Sequence, residues 1–104
     1  YATYVNSGSS ANLLALYCLM EYGILNRNDK IIVPAVSWAT DLSPVFQLGL
    51  DPILCDVNLE DLAVDINNLE YIMKTHNPKV LMLVHVLGLV CDLLKIYAIN
   101  IMLF

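Results

Sequence analysis

Three short runs in this chain are apolar nearly throughout rather than at alternate positions: Ile31-Ile32-Val33, Ile53-Leu54-Cys55 and Val80 to Val84. A strand wetted on one face alternates polar and apolar residues, so a continuous run implies burial on both faces, as in a parallel sheet. Helical patterns with their own start and stop signals separate the runs. One helix is expected from about Ser9 to Tyr22, with Leu13, Leu14, Leu16, Tyr17 and Met20 as apolar residues and Gly23 as its stop. A second starts at a Ser37 cap and runs to about Leu48, with Val45, Phe46 and Leu48 on its apolar side and Gly49 ending it. Pro44 should kink this helix unless it falls in the first turns. A third, capped by Asn67 or Asn68, carries Leu69, Ile72 and Met73 to about Thr75, where Asn77-Pro78 breaks it. Asp92 caps a short fourth helix with Leu93, Leu94, Ile96 and Tyr97. Extended segments are expected at Ala2 to Val5, Lys30 to Pro34, Asp51 to Val57, Lys79 to Val86 and Ile101 to Phe104. Strands alternating with helices in this way specify an α/β fold: three layers, α/β/α, around a mostly parallel sheet with right-handed crossovers.

At 104 residues the chain has room for one small domain. It is 59% hydrophobic and 14% charged, against typical values of about 45–50% and about 25%. So apolar a chain reads as part of a larger α/β domain whose covering layers lie elsewhere, with a membrane protein as the rival. Val80 to Phe104 is the most apolar stretch, but His85, Gly88, Asp92, Lys95 and Asn100 interrupt it. A spanning helix wants roughly 20 apolar residues with few charges, so strand, turn, helix and strand fit better than a membrane segment. Tyr1 to Asn12 has neither the basic nor the apolar region of a signal peptide, and no initiator Met opens the chain, which suggests a fragment. A net charge of −5 without any basic cluster excludes nucleic acid as an expected partner. Cys18, Cys55 and Cys91 have no C-x-x-C spacing and read as core residues of a protein in a reducing, cytoplasmic compartment. His76 and His85 show no ligand spacing to them, so no metal site is expected.

In an open parallel sheet, ligands bind beyond the carboxyl ends of the strands. The polar candidates there are Ser7 to Ser10, Ser37-Trp38, Asp56 and His85. Asn6-Ser7-Gly8-Ser9-Ser10 leads into the first helix, whose free N–H groups and dipole favour an anion. Gly8 allows close backbone approach or a positive φ. Ser7, Ser9 and Ser10 can cap the helix or donate hydroxyls to phosphate oxygens. A plain turn with an N-cap fits the same residues equally well. No Gly-Lys-Ser/Thr follows, which excludes a P-loop. Gly8-Ser9-Ser10-Ala11-Asn12 falls short of a nucleophile elbow by its last glycine. On its own, Trp38 reads as a core or interface aromatic. His85 and Asp56 read as local hydrogen-bonding residues that could also face a ligand, and His76 as a solvated helix-end residue.

The order of motifs resembles the N-terminal part of the large domain of the DegT/DnrJ/EryC1/StrS family. The resemblance is carried by Val5-Asn6-Ser7-Gly8-Ser9-Ser10-Ala11-Asn12-Leu13-Leu14-Ala15-Leu16, Asp29-Lys30-Ile31-Ile32-Val33-Pro34, Ser37-Trp38-Ala39-Thr40, Gly49-Leu50-Asp51-Pro52-Ile53-Leu54-Cys55-Asp56-Val57, Val84-His85-Val86-Leu87-Gly88 and Cys91-Asp92. It covers nearly the whole chain and makes residues 1–104 an incomplete part of an aspartate-aminotransferase, fold-type-I large domain. It implies pyridoxal phosphate as cofactor, with Gly8, Ser9 and Ser10 on its phosphate and Trp38 against its ring. It implies a nucleotide-linked keto sugar as substrate, glutamate as amino donor, and a homodimer. The leading expectation is a sugar aminotransferase. The alternatives are a 3-dehydratase of the same family and a non-enzymatic anion-binding module. The family's Schiff-base lysine and its pyridine-nitrogen aspartate match no residue here. Lys30, Lys74, Lys79 and Lys95 lie outside the lysine motif, so no catalytic residue is assigned and no transaminase activity is expected of these 104 residues alone.

Overall fold

The computed structural model describes residues 2–99 and 101–103. Helix α1 spans Gly8–Glu21, strand β1 Lys30–Pro34, α2 Ala39–Gln47, β2 Asp51–Cys55, α3 Ile66–His76, β3 Val80–Leu81, α4 Leu93–Ala98 and β4 Met102–Leu103. A 3-10 turn at Val86–Gly88 follows β3. The strands form one all-parallel sheet in the order β2-β1-β3-β4. Lys30 pairs with Asp51, Ile31 with Val80, and Val80 with Met102.

Successive side chains of a strand point to opposite faces, and the two cores divide along that rule. Ile31, Val33, Val80 and Met82 pack with Leu16 of α1, Val45 of α2, Leu25 and Leu50 on one face. Ile32, Cys55 and Leu81 pack with Leu69 and Ile72 of α3, Ile96 of α4, Ala63, Val64, Cys91 and Ile101 on the other. Continuous apolar runs are needed because both faces are covered. The expected three-layer α/β/α architecture is therefore present.

Several boundaries differ from expectation. Ala2 to Val5 joins no strand. The run from Lys79 to Val86 contributes only Val80–Leu81 to the ladder, although Met82 N–H still donates to Ile32 O at 2.9 Å. Beyond that point the backbone leaves the sheet, and Leu87 and Gly88 both take positive φ. β4 is shorter than the expected Ile101 to Phe104, of which Phe104 lies outside the described residues. β2 is an edge of the described sheet, which tolerates Pro52 and leaves Leu54 57% exposed. Asp65 caps α3 in place of Asn67 or Asn68, by accepting from Asn68 N–H at 2.7 Å. Trp38, and not Ser37, is the N-cap of α2, because Ser37 Oγ donates instead to Pro34 O. Phe46 faces outward, and Val45 is the buried residue of that pair. Cys18 is only half-buried, whereas Cys55 and Cys91 are core residues; all three are free thiols.

The helix stops fall where the glycines put them. Gly23 and Gly49 take φ of 72° and 69°. After α1, Gly23 N–H bonds to Met20 O and Ile24 N–H to Leu19 O; after α2, Gly49 N–H bonds to Phe46 O and Leu50 N–H to Val45 O. That is the paired bonding of a Schellman motif, which only a left-handed C′ residue allows. Among the described residues no helix is long and apolar enough to cross a membrane.

Candidate functional site

Strand order locates the site. From β1 the chain moves outward to β2 by way of α2 on one face; from β3 it moves the opposite way to β4 by way of α4 on the other. The carboxyl ends of β1 and β3 therefore flank a topological switch point, where crevices form in doubly wound sheets. A cleft of about 350 Å³ lies there. Val36, Ser37 and Trp38 line it from the β1 side, and Val84, His85, Val86 and Leu87 from the β3 side.

Trp38 is 80% exposed and offers a flat apolar face to that cleft, so the core-aromatic reading does not hold in this chain. Its backbone is held from below. Asp41 Oδ2 accepts from Trp38 N–H at 3.1 Å, the back-reaching half of a capping box. Asp41 Oδ1 accepts from Asn12 Nδ2 of α1 at 3.0 Å, and the same amide donates to Thr40 O at 3.3 Å. Pro44 has no N–H and leaves Thr40 O without its helical donor. The Asn12 amide supplies one, and α2 runs through Pro44 without a break.

Ser7 caps α1, its Oγ accepting from Ser10 N–H at 3.2 Å. The first helical bond runs from Ala11 N–H to Ser7 O. The N–H groups of Gly8 and Ser9 come before it and point out of the helix end. Ser7 Oγ donates to Ser10 Oγ at 3.1 Å, which leaves the Ser10 proton to donate elsewhere. No acidic residue lies in the first turn of α1. Gly8 does not take a positive φ, and a Cβ there would meet nothing within 4 Å. No contact among the described residues therefore requires glycine at that position. Two free N–H groups and two hydroxyls at a dipole's positive end are a donor set that fits a phosphate. The exposed indole fits a flat ring.

The remaining candidates separate. His85 borders the cleft, with Nδ1 3.5 Å from Cys91 Sγ. Burial pushes the Cys91 thiol up, so it stays protonated and can donate to that nitrogen. Asp56 is not among the residues that line the cleft: its Oδ1 accepts from Val57 N–H, and its own N–H donates to Asn68 Oδ1. His76, in the last turn of α3, is half-buried, with Nδ1 2.6 Å from Thr75 Oγ1. Sequence reasoning missed Asn12 and Asp41 as site residues. The available signal was an acidic residue three positions after Trp38, followed three residues later by a mid-helix proline.

A sequence model of the DegT/DnrJ/EryC1/StrS aminotransferase family matches residues 1–101. GDP-4-keto-6-deoxy-D-mannose 3-dehydratase from Escherichia coli O55:H7 is 40% identical over 90 residues, covering 85% of this chain and 23% of that protein. The crystal structure of the E. coli GDP-4-keto-6-deoxy-D-mannose-3-dehydratase with bound hydrated PLP superimposes with a TM-score of 0.92 at 37% identity, over 99% of this chain and 28% of the other. A putative sugar aminotransferase from Streptococcus pneumoniae, in its PLP form, gives 0.79 at 28% identity, over 90% and 23%. The chain thus spans about a quarter of the length of the curated relatives it matches.

Proposed function

This chain belongs to the DegT/DnrJ/EryC1/StrS aminotransferase family, and on that footing we propose that it is the N-terminal part of the cofactor-binding domain of a pyridoxal-phosphate sugar 3-dehydratase. The substrate class is a nucleotide-linked 4-keto-6-deoxy sugar. One observation carries the choice of reaction. The 3-dehydratases match at 40% and 37% identity, whereas the sugar aminotransferase from S. pneumoniae matches at 28%. The sequence-based expectation put the aminotransferase first, and the comparisons favour its dehydratase alternative.

The residues present have definite tasks in this reading. Gly8 and Ser9 N–H and the Ser9 and Ser10 hydroxyls hold the cofactor phosphate, and Gly8 leaves room for it to come close. Trp38 covers one face of the ring and keeps water from it. His85, at the rim of the cleft, presents an imidazole to whatever binds there. When bound, pyridoxal phosphate supplies an electron-withdrawing ring that eases bond breaking beside an amine-linked carbon. The amine and the carboxylate that this chemistry also needs, and a second subunit at the site, come from outside residues 1–104.

Product analysis of the full-length protein tests the reading. With pyridoxal phosphate, glutamate and GDP-4-keto-6-deoxymannose, the sugar product should have lost the C3 hydroxyl and gained no nitrogen by mass spectrometry. A sugar carrying a new amino group restores the aminotransferase. Absence of both products, together with no bound cofactor, leaves an anion-binding module.

A further inference from the structure

Asp41 is the one polar or charged side chain buried among the described residues, at 8% exposure. The ion pairs among those residues, Lys74 with Glu70 and Lys95 with Asp92, do not involve it. A carboxylate in such a place is costly unless its oxygens are hydrogen-bonded. Both are, and to two different elements: Oδ2 to Trp38 N–H and Oδ1 to Asn12 Nδ2. Asn12 stands two residues after Ser10 on α1, and Asp41 three residues after Trp38. One carboxylate therefore ties the serine turn of α1 to the exposed indole at the start of α2. The tie is reinforced where Asn12 Nδ2 reaches Thr40 O, the carbonyl left over by Pro44.

We propose that Asp41 is a positioning residue: through Asn12 and the Trp38 backbone it sets the separation and tilt of the phosphate-binding turn and the ring-covering indole, so that one cofactor engages both. This rests on the reading that pyridoxal phosphate occupies the cleft. The three bonds together require a carboxylate at position 41, an acceptor at both oxygens. With Asp41→Asn the amide oxygen can keep Trp38 N–H, but the new NH2 then faces Asn12 Nδ2. If Asn12 turns to offer its Oδ1 instead, its NH2 leaves Thr40 O. One of the three bonds is lost whichever way the amides flip.

The experiment measures pyridoxal-phosphate affinity by equilibrium dialysis and the induced circular dichroism of the bound cofactor, in the full-length protein. Asp41→Asn should weaken binding about tenfold, the scale of one charge-assisted hydrogen bond, and should alter the dichroic band. Should Asp41→Asn fail to fold, Asn12→Ser keeps the Trp38–Asp41 cap and must still weaken binding about threefold or more, in protein shown by far-UV circular dichroism to be folded at the assay temperature. Affinity and dichroism unmoved by Asp41→Asn overturn the inference. A parent protein that binds no pyridoxal phosphate overturns the cofactor reading and this inference together. A parent that binds while the variants bind equally well overturns the inference alone.

Discussion

The N-termini of α1 and α3 share a geometry and differ in charge. Each follows an extended cap residue whose side chain accepts the N–H three positions on: Ser7 from Ser10 at 3.2 Å, Asp65 from Asn68 at 2.7 Å. Ser7 is neutral and no acid follows it in the first turn, whereas the Asp65 cap is itself a carboxylate. The other two helices side with α3. Asp41 lies in the first turn of α2, and Asp92 caps α4, where Lys95 N–H and the Lys95 side chain hold its carboxyl below the usual range. A helix that carries its own carboxylate spends its dipole inside the chain. One that does not can offer it to an anion from outside. Cap geometry alone therefore says little about ligand binding, and the sign of the capping group says more.

The largest expected effect falls on α1. Changing Ser9 and Ser10 together to Ala in the full-length protein should weaken pyridoxal-phosphate binding about 100-fold, the loss of two hydroxyl bonds to a charged group. The melting temperature of the cofactor-free protein should barely move, because Ser9 is exposed and the Ser10 hydroxyl bonds only to Ser7 among the described residues. Dialysis beside a thermal melt reads both. Unchanged affinity would remove the contrast between the two helix ends.

Asp65→Ala should do the reverse. Loss of that cap costs about 1–2 kcal/mol of stability, read as a lower denaturation midpoint, with cofactor affinity unaltered. A drop in affinity as large as that of the serine pair would mean that α3 also serves the site.

The smallest effect is the most discriminating. Ser7→Asp gives α1 the cap of α3 and should raise the stability of the cofactor-free protein by about 0.3–1 kcal/mol through the dipole. The same change sets a negative charge beside the phosphate, so affinity should fall while stability rises. If both rise together, the α1 end is a structural cap and nothing more.

Much of the local pattern was legible in the sequence. The runs at Ile31, Ile53 and Val80 marked strands, and Gly23, Gly49 and Asn77-Pro78 marked helix ends, because each signal acts through residues close by along the chain. The same locality explains the misses. Asn67 and Asn68 are as good as Asp65 on cap preference, and only the bonding of Asn68 to Asp56 N–H shows that its side chain is used elsewhere. Without the resemblance, Trp38 reads as a core or interface aromatic, because tryptophan is usually well buried. Its exposure follows from β1 ending at Pro34 and from the Asp41 bond that holds its backbone at the cleft.

By itself, then, the sequence determined the class of fold, the helix stops and the neutral serine cap of α1, all set by near-neighbour sterics and hydrogen bonding. The tertiary structure alone decided the order β2-β1-β3-β4, because the same alternation of strands and helices is compatible with other orders. That order opens a cleft between the carboxyl ends of β1 and β3. It also decided the pairing of Asn12 with Asp41, 29 residues apart. No periodicity encodes that contact. It exists because α1 and α2 cover the same face of the sheet, where a buried carboxylate must find its donors or pay for their absence.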